Sequence, residues 1–268
     1  MKILFVGCGN MGSAIAKSML ASPYFSHQDI EVVLPNDSPH HPLIVNELRL
    51  KVHENYPTGT TYDAILFAVK PQTMPEILPH YQKFLSELPT MVISIAAGKT
   101  ISYFEKFFPN HPIVRVMPNI NVLVGRGAAA AVHNSKATAM QLEIVEHIFA
   151  KAGYFTWLED EALMDVVVAT SGSSPAYYFM FTELLAQIAI EHGLSPDIAL
   201  KLAEETFIGS ALMRSESKKP LPELRAMVTS AKGTTYEALQ KFGEDDQLYK
   251  LIKSAFEAAI KRSQELSE

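Results

Sequence analysis

The sequence predicts an α/β fold: a doubly wound sheet in the first half of the chain, followed by an all-helical second half. Short, fully apolar runs alternate with segments of helical length from residue 3 to about residue 157. Apolar strands that alternate with helices indicate a mostly parallel sheet covered on both faces. After that point helix formers dominate and no strand-like run appears. The predicted domains are therefore residues 1–158 and 159–268.

The predicted elements follow the chain in order. The strands are Ile3–Val6, Ile30–Leu34, Ala64–Val69, Met91–Ile95, Ile113–Met117, Gly127–His133 and Tyr154–Trp157. The helices of the first half are Met11–Leu20, Leu43–Leu48, Pro75–Leu85, Ile101–Phe107 and Ala137–Lys151. Those of the second half are Ala176–His192, Pro196–Met213, Pro222–Thr229 and Asp245–Leu266. Their many apolar positions fit an intramolecular core and a surface buried against a second subunit equally well.

Composition limits the class of protein. Of the 268 residues, 48% are apolar and 19% charged, which is typical of a globular chain. A net charge of −6 gives no attraction to nucleic acid, and a single cysteine permits no intrachain disulfide. The first apolar run is too short for a signal peptide, and no uncharged stretch reaches the roughly 20 residues of a membrane span. We expect a cytoplasmic protein with neither nucleic acid nor membrane as a partner.

A glycine-rich loop directly follows the first predicted strand and opens the first helix. Gly7 allows a tight turn, Gly9 lets the backbone approach a pyrophosphate, and Gly12 permits close contact of helix and strand. The helix N-terminus offers free N–H groups to phosphates. This context predicts a Rossmann-type dinucleotide-binding domain. The loop residues expected at the cofactor are Gly7, Cys8, Gly9, Asn10, Met11 and Gly12, with Cys8 serving most simply as a small filler.

The end of the second strand is expected at the adenosine ribose. An acidic residue there favours the free 2′-hydroxyl of NAD, whereas a nearby arginine favours the 2′-phosphate of NADP. Asp37 argues mildly for NAD, and no Arg or Lys lies between Lys17 and Arg49. Asp37 is equally compatible with a simple turn, and Asn36 and Ser38 could hydrogen-bond a phosphate. Both cofactors therefore stay open.

Further candidate loops follow later strands. Ala68-Val69-Lys70-Pro71, Ala96-Ala97-Gly98 and Asn119 come at strand ends, where open α/β sheets bind ligands. In the helical half, Ser230-Ala231-Lys232-Gly233-Thr234-Thr235 reads as a turn whose backbone N–H groups could hold a carboxylate. The alternative is a plain interhelix turn with Thr234 as N-cap. No HExxH pair, Cys/His cluster or G-x-S-x-G elbow occurs, so neither a metal site nor a serine nucleophile is predicted.

Together these motifs resemble the pyrroline-5-carboxylate reductase family over essentially the whole chain. The resemblance rests on the glycine loop, on three strand-end segments and on two segments of the helical half. The strand-end segments are Ala68-Val69-Lys70-Pro71, Ala96-Ala97-Gly98 and Arg115-Val116-Met117-Pro118-Asn119, and the other two are Ser171-Gly172-Ser173-Ser174-Pro175-Ala176-Tyr177 and Val228–Thr235. It implies reduction of 1-pyrroline-5-carboxylate to L-proline, the last step of proline synthesis, with NADPH or NADH. It also implies a helical domain that forms homodimers, which often assemble into decamers of five dimers.

The resemblance assigns roles at the substrate and the cofactor. Backbone amides of Ser230–Thr235 hold the substrate carboxylate, and the Thr235 hydroxyl binds the ring nitrogen. Glu161 and Glu216 match positions near the substrate, and Asn55 matches an asparagine that contacts the cofactor.

Three signature segments depart from the family pattern. The turn usually reads Ser-Pro-Gly-Gly, whereas here Lys232 stands at the first glycine, a substitution that is costly if this residue needs a positive φ. The Met-Pro-Asn-Thr-Pro segment becomes Met117–Asn121, and Ser-Gly-Ser-Gly-Pro becomes Ser171–Pro175. The departures leave two alternatives open: a related oxidoreductase for another cyclic imine or a β-hydroxyacid, and a cofactor-binding regulatory paralogue without turnover.

Overall fold

The computed structural model describes residues 1–85 and 89–267, and it contains one eight-stranded sheet. The strands are β1 (Ile3–Val6), β2 (Ile30–Val33), β3 (Lys51–His53), β4 (Ala64–Phe67), β5 (Met91–Ser94), β6 (Ile113–Met117), β7 (Gly127–His133) and β8 (Gly153–Trp157). The helices are α1 (Asn10–Leu20), α2 (Met74–Leu85), α3 (Ile101–Glu105), α4 (Ala139–Phe149), α5 (Met164–Val167), α6 (Ser174–Glu191), α7 (Pro196–Glu216), α8 (Leu221–Met227), α9 (Thr234–Gly243) and α10 (Gln247–Ser267).

The sheet has the strand order β3-β2-β1-β4-β5-β6-β7-β8. Strands β1 to β6 pair in parallel, β7 runs antiparallel to β6, and β8 is parallel to β7. The chain moves outward from β1 through β2 to β3 and then returns to β4 on the other side of β1. This reversal creates a crevice at the carboxyl ends of β1 and β4, which is where doubly wound sheets bind ligands. The predicted fold class is confirmed.

Both faces of the sheet carry a hydrophobic core, because successive residues of a strand point to opposite faces. Ile3 and Phe5 of β1 belong to one core cluster, while Leu4 and Val6 belong to the other. Helices α1 and α4 cover the first face and α2 and α3 the second, through buried residues such as Ile15. The fully apolar strands of the sequence thus reflect burial on two sides.

Two departures from the predicted elements lie at the edge of the sheet. Strand β3 was not expected, since its three residues include a lysine and a histidine and form an edge strand. The segment Leu43–Leu48, predicted as a helix, forms a single π-helical turn over Leu43–Glu47. The turn leads through Arg49, which has a positive φ of 53°. The edge strand thus follows an irregular turn, and the pattern of apolar residues in the sequence gives no signal for either.

The chain divides into two compact units, which we call the sheet unit (residues 1–173 and 259–268) and the helical unit (residues 174–258). These units describe compactness, and the predicted domain boundary between residues 158 and 159 stays a prediction. Within the described residues, no helix is long and apolar enough to cross a bilayer.

The helical unit leaves much apolar side-chain area uncovered. Its longest helix pair, α6 and α7, packs side by side, yet α6 buries only Pro175 and Ala186, and α7 only Ala199. Side chains at least 48% exposed in these two helices include Tyr178, Phe179, Met180, Phe181, Ile188, Ile198, Leu202 and Leu212. An intramolecular core does not absorb these residues, and surfaces of this kind mark sites of protein association.

Candidate active site

The glycine loop lies against the end of β4. Gly7 has a φ of 79°, a left-handed conformation that other residues rarely adopt, and its N–H donates to the Val33 carbonyl at 2.9 Å. A Cβ atom at Gly7 would collide with the Val69 side chain, and one at Gly12 would lie 3.1 Å from the Ala68 Cβ. The glycines thus keep the loop and the β4 end in close contact.

Helix α1 presents an anion-binding N-terminus to this crevice. Gly9 is its N-cap, and the first turn contains no acidic residue. The first intrahelical bond runs from the Ser13 N–H to the Gly9 carbonyl at 2.9 Å. The N–H groups of the three preceding helical residues therefore have no intrahelical acceptor, and they carry the partial positive end of the helix dipole. The cradle fits the pyrophosphate of a dinucleotide.

Cys8 is buried beneath this loop, with only 1% of its surface exposed. Burial raises the pKa of its thiol to about 12, because desolvation penalises the thiolate. A hypothetical Cβ at Gly12 would lie 3.5 Å from the Cys8 sulfur. The thiol therefore fills space below the loop.

The side of the crevice where the adenosine is expected lies at the ends of β2 and β3. Asn36 follows β2, and its side-chain amide donates to Glu54, which follows β3. Asn55 is the next residue, and both Asn55 and Asp37 are exposed. Because β2 and β3 are parallel neighbours, their carboxyl ends bring these residues to the same edge as the glycine loop. Sequence reasoning missed Glu54, since no signal announced the short strand before it.

The loops after β4 and β5 form the other side of the crevice. Lys70 has an extended backbone, and Pro71 opens a short 3₁₀ turn. In the second loop the Ala96 N–H donates to the Ser94 hydroxyl at 3.2 Å. Gly98 has a φ of 72°, and a Cβ there would lie 2.6 Å from the Cβ of Leu266 near the C-terminus. The predicted segments Ala68–Pro71 and Ala96–Gly98 thus lie side by side on neighbouring parallel strands.

An ion pair between the buried Arg115 and the half-buried Glu161 fixes the loop after β5. Arg115 on β6 is 4% exposed and donates to Glu161 at 2.8 Å. The same carboxylate oxygen accepts the Ile101 N–H at 2.9 Å, at the start of α3. The second terminal nitrogen of Arg115 is buried without a partner among the described residues. Glu161 therefore positions the β5–α3 loop. A lone charged residue in the apolar run Ile113–Met117 was the sequence signal for this pair.

Asn119 also acts within the protein framework. Its amide N–H donates to the Ser171 carbonyl at 3.1 Å, and its oxygen accepts the Ala128 N–H at 3.0 Å. The side chain is 6% exposed. These bonds tie the end of β6 to the start of β7 and to the segment before α6. The cofactor role expected for Asn119 stays a prediction.

The turn Ser230–Thr235 belongs to the helical unit. The Gly233 N–H donates to the Ser230 carbonyl at 3.0 Å, and Lys232 has a φ of 56°. Gly233 is the N-cap of α9, so the alternative that placed Thr234 in that role is wrong. A Cβ at Gly233 would displace the Ser230 hydroxyl and lie 3.1 Å from the Ser230 carbonyl oxygen, so this position has little room for a side chain.

The N-terminus of α9 also has free donors. Its first intrahelical bond joins the Glu237 N–H to the Gly233 carbonyl at 3.1 Å. Thr234 and Thr235 thus carry N–H groups without intrahelical acceptors, as a carboxylate site requires. Glu216, the last residue of α7, is exposed in the same unit.

The predicted cofactor residues therefore gather at one edge of the sheet unit, whereas Ser230–Thr235 and Glu216 belong to the helical unit. Among the described residues, no group of three His, Cys, Asp or Glu side chains is arranged to hold a metal ion.

The doubly wound sheet and its glycine cradle define a Rossmann-type, NAD(P)-dependent oxidoreductase. Residues 161–266 match a family model described as pyrroline-5-carboxylate reductase dimerisation, and residues 2–98 match one described as NADP oxidoreductase, coenzyme F420-dependent. The pyrroline-5-carboxylate reductase of Pseudomonas aeruginosa is 32% identical over 100% of this chain and 97% of its own length. The chain belongs to the pyrroline-5-carboxylate reductase family.

Solved structures of this family have the same fold as this chain. A pyrroline-5-carboxylate reductase from Coxiella burnetii has a TM-score of 0.90 at 32% identity, covering 100% of this chain and 98% of its own. A Plasmodium falciparum pyrroline carboxylate reductase with NADP bound has a TM-score of 0.81 at 27% identity, with the same coverage.

Proposed function

We propose that this protein reduces 1-pyrroline-5-carboxylate to L-proline with NADPH or NADH, the last step of proline biosynthesis. The observation that carries the proposal is the turn Ser230–Gly233 before α9. It places free backbone N–H groups at a helix N-terminus in a chain whose sheet unit carries a dinucleotide cradle. A carboxylate is the natural ligand of such a helix end, and the substrate of this reaction has one.

Hydride transfer to an imine depends on the relative position of substrate and cofactor more than on a strong nucleophile. When bound, the reduced nicotinamide supplies a hydride to the imine carbon, and a proton taken up from water by the ring nitrogen completes the secondary amine. In our proposal Ser230, Ala231, Lys232, Gly233 and Thr234 form the carboxylate site. The Gly233 N–H closes the turn on the Ser230 carbonyl, and the free N–H groups at the start of α9 hold the carboxylate. The Thr235 hydroxyl, which is the catalytic group, orients the ring nitrogen.

Two acidic residues have further proposed roles. We assign Glu161 and Glu216 to the surroundings of the substrate, as the resemblance implies. Since the Glu161 carboxylate pairs with Arg115 and caps Ile101, it acts there through the loop it holds. Asn55, Asn36, Asp37 and Asn119 complete the proposed cofactor side.

The same proposal includes assembly and location. The exposed apolar faces of α6 and α7 and the matched dimerisation model support a homodimer built by residues 159–268. Assembly of five dimers into a decamer and a cytoplasmic location complete the proposal. Size-exclusion chromatography with light scattering checks the subunit number, with a dimer or a multiple of it as the expected result.

Turnover tests the function directly. Purified protein mixed with 1-pyrroline-5-carboxylate should oxidise NADH or NADPH, read at 340 nm, and yield L-proline. Absence of turnover with both cofactors would overturn the proposal and favour the regulatory paralogue. Turnover only with a different cyclic imine or a β-hydroxyacid partner would favour the related oxidoreductase.

The role of Thr235 has its own test. Thr235→Ala should lower kcat while leaving the Kd of the dinucleotide nearly unchanged, because the residue lies in the helical unit. Thr235→Ser keeps the hydroxyl and should restore most of the rate. A collapse of dinucleotide binding in Thr235→Ala would show that the turn does not serve the substrate.

A further inference from the structure

Cofactor selectivity depends on what the protein places at the adenosine ribose. In doubly wound folds an acidic residue at the end of the second strand binds the ribose hydroxyls and repels a 2′-phosphate. Here β2 ends at Val33, and the side chain that follows at Asn36 is an uncharged amide. The next residue, Asp37, is an exposed carboxylate in the same loop, so the acidic determinant is either Asp37 or a residue supplied by another strand.

Strand β3 supplies a carboxylate at the same place. Val33 pairs with His53 in parallel register, so Glu54 leaves the sheet beside the residues that follow β2. The Asn36 amide donates directly to the Glu54 carboxylate. This hydrogen bond holds the negative charge of Glu54 at the carboxyl ends of β2 and β3, where the adenosine ribose is expected.

Two basic residues near β2 and β3, Lys51 and His40, face other groups. Lys51 begins β3, at the opposite end of the strand from Glu54, and its ammonium lies 3.5 Å from the buried Glu31 carboxylate. The imidazole of His40 faces the glycine loop, with its Nε2 atom 3.8 Å from where a Cβ of Gly9 would stand. That location is at the pyrophosphate cradle of α1. Neither side chain is bonded to the Asn36–Glu54 pair.

We propose that Glu54, held by Asn36, is the specificity-determining residue that makes this enzyme prefer NADH to NADPH. The carboxylate accepts hydrogen bonds from the ribose hydroxyls of NADH. The 2′-phosphate of NADPH brings two negative charges toward the same carboxylate, and like charges across an interface suppress the wrong ligand. The inference rests on the assigned dinucleotide site and is independent of the imine substrate.

Equilibrium binding, measured by the fluorescence of NADH and NADPH on mixing with protein, tests the proposal without turnover. The unmodified protein should bind NADH about ten-fold more tightly than NADPH, a difference of about 1.4 kcal/mol. Glu54→Gln keeps an acceptor for Asn36 but removes the charge. It should tighten NADPH by about ten-fold and modestly weaken NADH, because a neutral amide is a poorer acceptor for the ribose hydroxyls. Adenosine 2′,5′-bisphosphate and 5′-AMP should show the same change in relative affinity, because they differ only in the 2′-phosphate.

Two further variants test whether the effect is specific to the Glu54 carboxylate. Glu47→Gln removes an exposed carboxylate from the π-helical turn before β3 and should leave the NADH/NADPH ratio unchanged. Asp37→Asn removes the other carboxylate beyond β2. Tighter binding of NADPH than NADH by the unmodified protein would overturn the inference, and so would relaxation by Asp37→Asn in place of Glu54→Gln. If neither dinucleotide binds, the cofactor site itself is wrong and the inference falls with it, whatever the imine assay shows.

Discussion

Lys232 occupies a backbone conformation that suits glycine, and replacing it tests the turn before α9. Its φ of 56° lies in the left-handed region, which costs a residue with a Cβ roughly 1–2 kcal/mol. Lys232→Gly removes this cost but adds about 0.5–1 kcal/mol of backbone entropy to the unfolded chain. The expected net gain is about 0.5–1 kcal/mol in the free energy of unfolding, or roughly 1–4 °C in Tm for a chain of this size.

The matched control is Lys232→Ala, which removes the charge and keeps the Cβ. Urea unfolding of both variants should show a gain for glycine and none for alanine. A glycine variant no more stable than the alanine variant would refute the argument from φ.

The variants Lys232→Gly and Lys232→Ala also test whether the charge of Lys232 contributes to substrate binding. Lys232 is exposed, and an exposed ion pair contributes about 0–1 kcal/mol, so the KM for the imine should rise less than about five-fold in either variant. A larger rise in both variants would show that the ammonium group takes part in binding the carboxylate.

Three further predictions concern the sheet unit. Glu161→Gln leaves the buried Arg115 without a charged partner and should lower the free energy of unfolding by about 1–2 kcal/mol; unchanged stability in urea would contradict the ion pair. Gly7→Ala should abolish dinucleotide binding and destabilise the protein by about 2–5 kcal/mol, since a strained φ adds to overpacking, whereas Gly209→Ala, in open space within a helix, should leave binding intact. With a thiol pKa of about 12, Cys8 is about one part in 10⁴ thiolate at pH 8, so Ellman's reagent should label it only after unfolding in urea; stoichiometric labelling of the folded protein would contradict its burial.

The sequence predicted those parts of the fold that have a local cause. Apolar strands, the glycine loop and the helical second half each follow from periodicity or from a required backbone conformation. Strand β3 escaped because three residues with a lysine and a histidine give no period. The antiparallel direction of β7, and the packing of Leu266 on Gly98, depend on contacts between distant segments. No local pattern encodes them.

At the site, the predicted loops lie at the ends of neighbouring strands, as the sequence indicated, but the hydrogen-bond partners of their polar side chains were not predicted. Residues at strand ends could be listed because parallel strands share an edge. The partner of each polar side chain could not, because it comes from another element: Glu54 for Asn36, Glu161 for Arg115, and the Ala128 N–H for Asn119. Such pairs decide whether a polar residue faces a ligand or supports the framework.

The departure from the family pattern at Ser230–Gly233 is less consequential than the changed side chains suggest. Lys232 has a left-handed φ, a conformation that glycine adopts without strain, and Gly233 lies close to Ser230. The donors assigned to the substrate carboxylate are backbone N–H groups, whose directions depend on φ and ψ and not on the side chain. A substitution that preserves the backbone at a cost in stability therefore preserves the binding groups. For this reason we expect the altered turn to change the stability of the helical unit more than the choice of substrate.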